Sequence, residues 1–77
     1  MKIGNRATVT AIYSDYYGLT GLIVQEHPSK DPTNFRYHVA FDQTELRKAK
    51  RPEIVLKSKS STVYFKINEL ELANVPA

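Results

Sequence analysis

From Ala7 to Tyr13 the chain alternates, with Ala7, Val9, Ala11 and Tyr13 on one side and Thr8, Thr10 and Ile12 on the other. A period of two among β-branched residues predicts a half-buried strand. Ser14-Asp15 breaks the pattern and opens a loop through Tyr16-Tyr17. A second strand is expected from about Gly21 to Glu26, where Leu22, Ile23 and Val24 are all apolar and periodicity does not choose the inward face. His27 to Asn34 carries two prolines, which remove ladder donors, and reads as loop. Phe35, Tyr37, Val39 and Phe41 then alternate with Arg36, His38 and Ala40, the clearest strand in the chain, with its odd positions towards the core. Asp42 to Pro52 has few apolar residues, only Leu46 and Ala49. It is expected to be an exposed loop with one helical turn, capped by Thr44.

Glu53 to Lys57, centred on Ile54, Val55 and Leu56, reads as a further strand, and Ser58 to Ser61 as a turn. Thr62 to Lys66 follows as a strand with Val63 and Phe65 on one face. Ile67-Asn68-Glu69 suits a single 3-10 turn, and Leu70 and Leu72 end the pattern in a short strand. Residues 1–5 form a lead-in and residues 74–77 a frayed tail to one domain spanning residues 1–77. Five to six short antiparallel strands without a long helix predict an all-β fold, a small strongly bent barrel. A flat sheet would leave Phe35, Tyr37, Phe41 and Phe65 poorly covered. Gly18 and Gly21 are its expected hairpin residues, placed where the chain reverses and backbone approaches backbone.

Seventy-seven residues lie near the lower limit for a self-sufficient core, and the absence of cysteine leaves neither disulfide nor thiolate metal site to support it. The start, Met1-Lys2-Ile3-Gly4-Asn5-Arg6, has no apolar signal region, and no apolar run nears the ~18 residues of a membrane span. The expectation is a cytoplasmic domain.

The net charge of +3 is modest but unevenly placed. Seven of the eleven Lys and Arg lie from Arg47 to Lys66, with Glu53 the only acid among them. Such a surface suits an acidic partner. Arg47, Lys48, Lys50 and Arg51, together with Arg36, are the candidate cations. Tyr13, Tyr16 and Tyr17 beside the first loop, and Tyr64 on the face of Lys66, are the candidate contact rings, since tyrosine combines apolar area with a polar tip. Catalysis is not expected. His27 in a loop and His38 on the outward side of a strand read as solvent-exposed, neither has the context of a nucleophile and base, and a metal site would need Glu26 or Asp42 as an added ligand. No catalytic residue, cofactor or metal is therefore assigned.

Gly4-Asn5-Arg6-Ala7-Thr8-Val9 followed by Gly18-Leu19-Thr20-Gly21-Leu22-Ile23 resembles SH3-like barrels of the KOW type, in which a Gly-x-x-Gly-x-Val/Ile hairpin follows the first strand. That resemblance covers about a third of the chain and implies a barrel that binds RNA or ribosomal and transcription partners. More narrowly, Tyr16-Tyr17-Gly18-Leu19-Thr20-Gly21-Leu22-Ile23-Val24-Gln25 with Val63-Tyr64-Phe65-Lys66-Ile67-Asn68-Glu69-Leu70-Glu71 looks like the small SH3-like subunit S of the photosynthetic NDH-1 complex. This implies a non-catalytic accessory subunit that helps an acidic protein dock on a membrane complex. Here His27 to Ser61 is longer and more basic and lacks that family's tryptophan-bearing segment. Ala11-Ile12-Tyr13-Ser14-Asp15-Tyr16 is similar to the Ala-Leu-Tyr-Asp-Tyr signature of eukaryotic SH3 domains, which implies proline-rich peptide binding in an aromatic groove. Ser14 interrupts the signature and the chain has no tryptophan. Type II dihydrofolate reductases share the barrel, but their Val-Gln-Ile-Tyr motif is absent from Thr62-Val63-Tyr64-Phe65. The sequence favours a non-enzymatic docking module for an acidic protein or larger complex, with single-stranded nucleic acid as the alternative ligand and membrane association only through a partner.

Overall fold

The computed structural model describes residues 1–57 and 62–73. Five strands, β1 (Arg6–Val9), β2 (Thr20–His27), β3 (Arg36–Ala40), β4 (Thr62–Lys66) and β5 (Leu70–Leu72), form one antiparallel sheet in the order β4-β3-β2-β1-β5. The first four strands lie side by side in chain order. A 3-10 turn at Ile67–Glu69 then returns β5 to the free side of β1. This is the connectivity of a small SH3-like barrel, and the bent sheet wraps one apolar core.

The register follows the alternation. Tyr37, Val39 and Phe41 are buried, as is Phe65 opposite Tyr37, and they meet Ala7, Val9, Ile23 and Leu70 from the other strands. Gly21 on β2 pairs with Ala7 of β1 and lies against the end of β3. A Cβ there would sit 2.5 Å from Val39 Cγ1 and 2.6 Å from the Ala40 carbonyl oxygen. Gly18 has φ +83°, in the left-handed region that favours glycine. Its N–H donates to the Val9 carbonyl while the Val9 N–H donates to Leu19, each at 2.9 Å.

Two predicted strands end or form differently. The first stops at Val9 rather than Tyr13: Thr10 N–H still extends the pairing with β5, donating to the Glu69 carbonyl at 2.9 Å, and the chain then turns out of the sheet. Ala11 stays buried, but Ile12 and Tyr13 emerge in a turn closed by Ser14 N–H on the Ala11 carbonyl. The second difference is that Glu53–Lys57 is not a strand; Pro52–Leu56 forms helix α2. Pro52 stands in the first turn, where its fixed φ and missing N–H cost nothing, with Glu53 beside the positive helix end. A strand would send Ile54 and Leu56 to one face; the helix instead inserts Val55, 2% exposed, and leaves the other two half-exposed. Burying Val55 contributes about 1.5–3 kcal/mol.

The helical turn expected in the preceding segment is α1 (Gln43–Leu46), with Asp42 as its cap in place of Thr44. The Asp42 carboxylate accepts the Glu45 N–H at 2.8 Å, and Leu46 and Ala49 join the core. The expected turn at Ser58–Ser61 and the tail at 74–77 lie outside the described residues. Among those described, no helix is long and apolar enough to cross a membrane.

Candidate functional site

The outer face of β2, β3 and β4 is set by register. Arg36 pairs with Lys66, His38 with Tyr64 and Ala40 with Thr62, all on the side away from the core. On β2 the strict alternation would turn Gln25 inward after the buried Ile23. A β-bulge between Ile23 and Gln25 prevents this: Ile23 faces Val39, and the next paired residue is Gln25, opposite His38. An extra residue in one strand re-aims everything after it. Gln25 and His27 therefore point outward, and Glu26 turns towards the chain start. There it accepts the Ile3 N–H at 3.2 Å, and its charge adds to burial in holding the Tyr37 phenol above its usual range.

The result is an aromatic platform. The Tyr64 ring is half exposed and stacks on His38 at 3.8 Å between centroids and 23° between planes. His27 tilts against the same tyrosine at 4.7 Å and stands edge-on to His38 at 5.7 Å. The Gln25 amide holds His38 Nδ1 at 3.3 Å, whereas His27 Nε2 is buried with no hydrogen-bond partner among the described residues. Arg36 and Lys66, both exposed, bound the platform at one end.

Beside them, a groove of about 240 Å³ runs between Arg36, Tyr64, Lys66 and Glu69. Burial pushes the Glu69 carboxyl up. Hydrogen bonds from the Tyr13 hydroxyl at 2.6 Å and the Lys66 N–H at 2.8 Å outweigh it, with the Lys66 and Arg36 charges, and leave the group below the usual carboxylate range. The same bond, followed by desolvation and the Glu69 charge, raises the Tyr13 phenol.

A second surface lies on the connection from β3 to β4. Lys50 Nζ sits 5.3 Å from the centroid of the Tyr17 ring, within the range of a cation–π contact. Lys48 pairs with Glu45 at 3.0 Å, and Arg47 and Arg51 are exposed. Glu45 in turn accepts the Thr20 N–H at 2.9 Å. That bond, against some desolvation and with help from Lys48, keeps its carboxyl below the usual range and ties α1 to β2.

The residues singled out from the sequence thus divide. Arg36, Tyr64 and Lys66 come together on the outer face; Tyr17, Lys50 and their basic neighbours form the second surface; Tyr13 is spent on Glu69. Tyr16 belongs to the core margin, stacked on Phe41 at 5.3 Å and edge-on to Phe65 at 5.9 Å. His27 and His38, read as solvent-exposed, are half-buried platform members. Their outward alternation opposite Tyr64 signals the pair for His38, but the bulge hides it for His27. Glu26 and Asp42, the possible added metal ligands, face elsewhere, and no group of three His, Cys, Asp or Glu gathers among the described residues. No protein-family model, curated protein or solved structure matches the chain.

Proposed function

We propose that this chain is a non-enzymatic binding module whose outer β2–β3–β4 face holds single-stranded nucleic acid. The Tyr64–His38 stack carries the reading: an exposed ring, braced by the imidazole, with two exposed cations at its edge. Bases stack on such rings whatever their sequence, each contributing about 1–3 kcal/mol, while cations take the phosphates. Fluorescence anisotropy with short labelled RNA and DNA oligonucleotides at low salt tests it. Tyr64→Ala should weaken binding roughly tenfold, and removing Arg36 and Lys66 should flatten the salt dependence. Tight binding that is indifferent to Tyr64 would reject the platform.

A second reading attaches to the other surface. Tyr17 beneath Lys50, with Arg47, Lys48 and Arg51 exposed around it, suits the docking of an acidic protein, where charge complementarity mainly sets association rate. Reversing the four charges should slow association with such a partner while the circular dichroism spectrum stays unchanged. An unaltered rate would remove this reading.

A further inference from the structure

A second hollow, of about 300 Å³, lies on the same outer face and is lined by Arg6, Thr20, Leu22, Ala40, Phe41 and Asp42. Its floor is low because Ala40 offers only a methyl group between Leu22 on β2 and Thr62 on β4. Ala40 follows His38 by two residues on β3, about 7 Å along the strand. A chain stacked on Tyr64 would thus bring its neighbouring nucleotide over the hollow. The walls are apolar, Leu22 and Ala40 with the edge of Phe41. Thr20 is already engaged, its hydroxyl 2.8 Å from that of Thr8. The chemistry that remains is one guanidinium and one carboxylate.

Asp42 spends one oxygen on the Glu45 N–H, and a carboxylate has further acceptor capacity. Arg6 is exposed, has no ion pair among the described residues, and offers a fork of donors. The hollow therefore asks for a flat, largely apolar group with donors on one edge and an acceptor beside them. Among the bases, guanine alone sets two adjacent N–H donors, N1–H and the 2-amino group, next to a carbonyl acceptor. Uracil presents mainly carbonyl acceptors, and adenine and cytosine present a single amino group.

Resting on the nucleic-acid reading of the platform, we infer that the Arg6–Asp42 hollow is a base-selecting subsite for guanine. Asp42 accepts from the N1–H and 2-amino edge, and Arg6 donates to O6.

The test has two arms. In the first, a short oligouridylate is compared with versions carrying one guanosine, adenosine or cytidine, by anisotropy on the full chain. The guanosine version should bind about tenfold tighter. Asp42→Asn keeps an oxygen to cap α1 but places an amide where the carboxylate faced the base, so it should abolish the preference, with only the small general rise in oligonucleotide affinity that the loss of one negative charge brings. Ala40→Leu fills the hollow and should abolish the preference with oligouridylate affinity unchanged. Equal affinity for all four oligonucleotides, a preference for cytidine or adenosine, or a guanosine preference that survives Asp42→Asn would overturn the inference. In the second arm, guanosine monophosphate and the other three monophosphates are titrated into isotope-labelled protein. Guanosine monophosphate should shift the Leu22, Ala40 and Asp42 amides most, and no selective shift there would overturn the subsite. Failure of every oligonucleotide to bind, with selective shifts still seen, would reject the platform and keep the hollow.

Discussion

At the scale of single residues, the two glycines of the first hairpin differ in what they are needed for. At Gly18 the demand is a backbone angle, and nothing lies within 4 Å of a would-be Cβ. At Gly21 the demand is space, because the clash would fall on the β3 backbone and on Val39. Gly18→Ala should lower unfolding free energy by about 1 kcal/mol, and Gly21→Ala by about 1–3 kcal/mol or more; urea titration of both should give that order. Equal losses would mean that β3 yields to the added methyl. Glu69 supplies a different prediction. Its carboxyl is held below its ordinary value of 4.5 in the folded chain. The stability it confers is therefore complete above that value and disappears as pH falls through the lower folded one. Glu69→Gln should flatten the stability profile in that acid window, as read from urea midpoints. An unchanged profile would show that Glu69 contributes no linkage.

At the scale of elements, capping decides more than composition. Asp42 and Glu45 stand three apart at the start of α1, a pattern visible in the sequence, and Asp42→Ala should cost about 1 kcal/mol. Asp42→Asn should cost much less, since an amide oxygen caps nearly as well; a loss of similar size would show that the charge matters more than the bond. The strand at Phe35–Phe41, the 3-10 turn at Ile67–Glu69 and the short β5 were all legible, because in each the local signal and the core agree. Ile54-Val55-Leu56 was not: three apolar residues in a row carry no period, and Pro52 as a helix opener outweighed the β-branched pair. Likewise Ala11 to Tyr13 keeps the alternation of a strand after the backbone has already turned out of the sheet, with Ser14 N–H on the Ala11 carbonyl.

At the scale of the whole molecule, the candidate surfaces sit on different parts of one rigid frame. The outer-face platform is made by strand pairing, and the basic connection is fastened to the frame by Leu46, Ala49 and Val55 in the core. Charge reversal at Arg47, Lys48, Lys50 and Arg51 should therefore leave the dependence of oligonucleotide binding on Tyr64 unchanged, although overall affinity falls with net charge. Loss of the Tyr64 effect in that variant would show the two surfaces to be one. The cations and tyrosines themselves were legible as types. Which of them meet was not, since their grouping depends on sheet register and on the packing of Tyr16 against Phe41.

The extra residue in β2 works as a parity bit for the end of that strand. With Val24 bulged, positions 25 and 27 read outward; paired in a regular ladder, the same letters would hide an imidazole and display an acid. Deleting Val24 would therefore leave Gln25 opposite His38 and His27 opposite Arg36, so the outer face would keep its chemistry and lose only the bulge. Any kinship traced through this strand is better judged by which face each residue shows than by letter-for-letter identity, and a one-residue gap at Val24 should be weighed as a lost bulge with the surface kept.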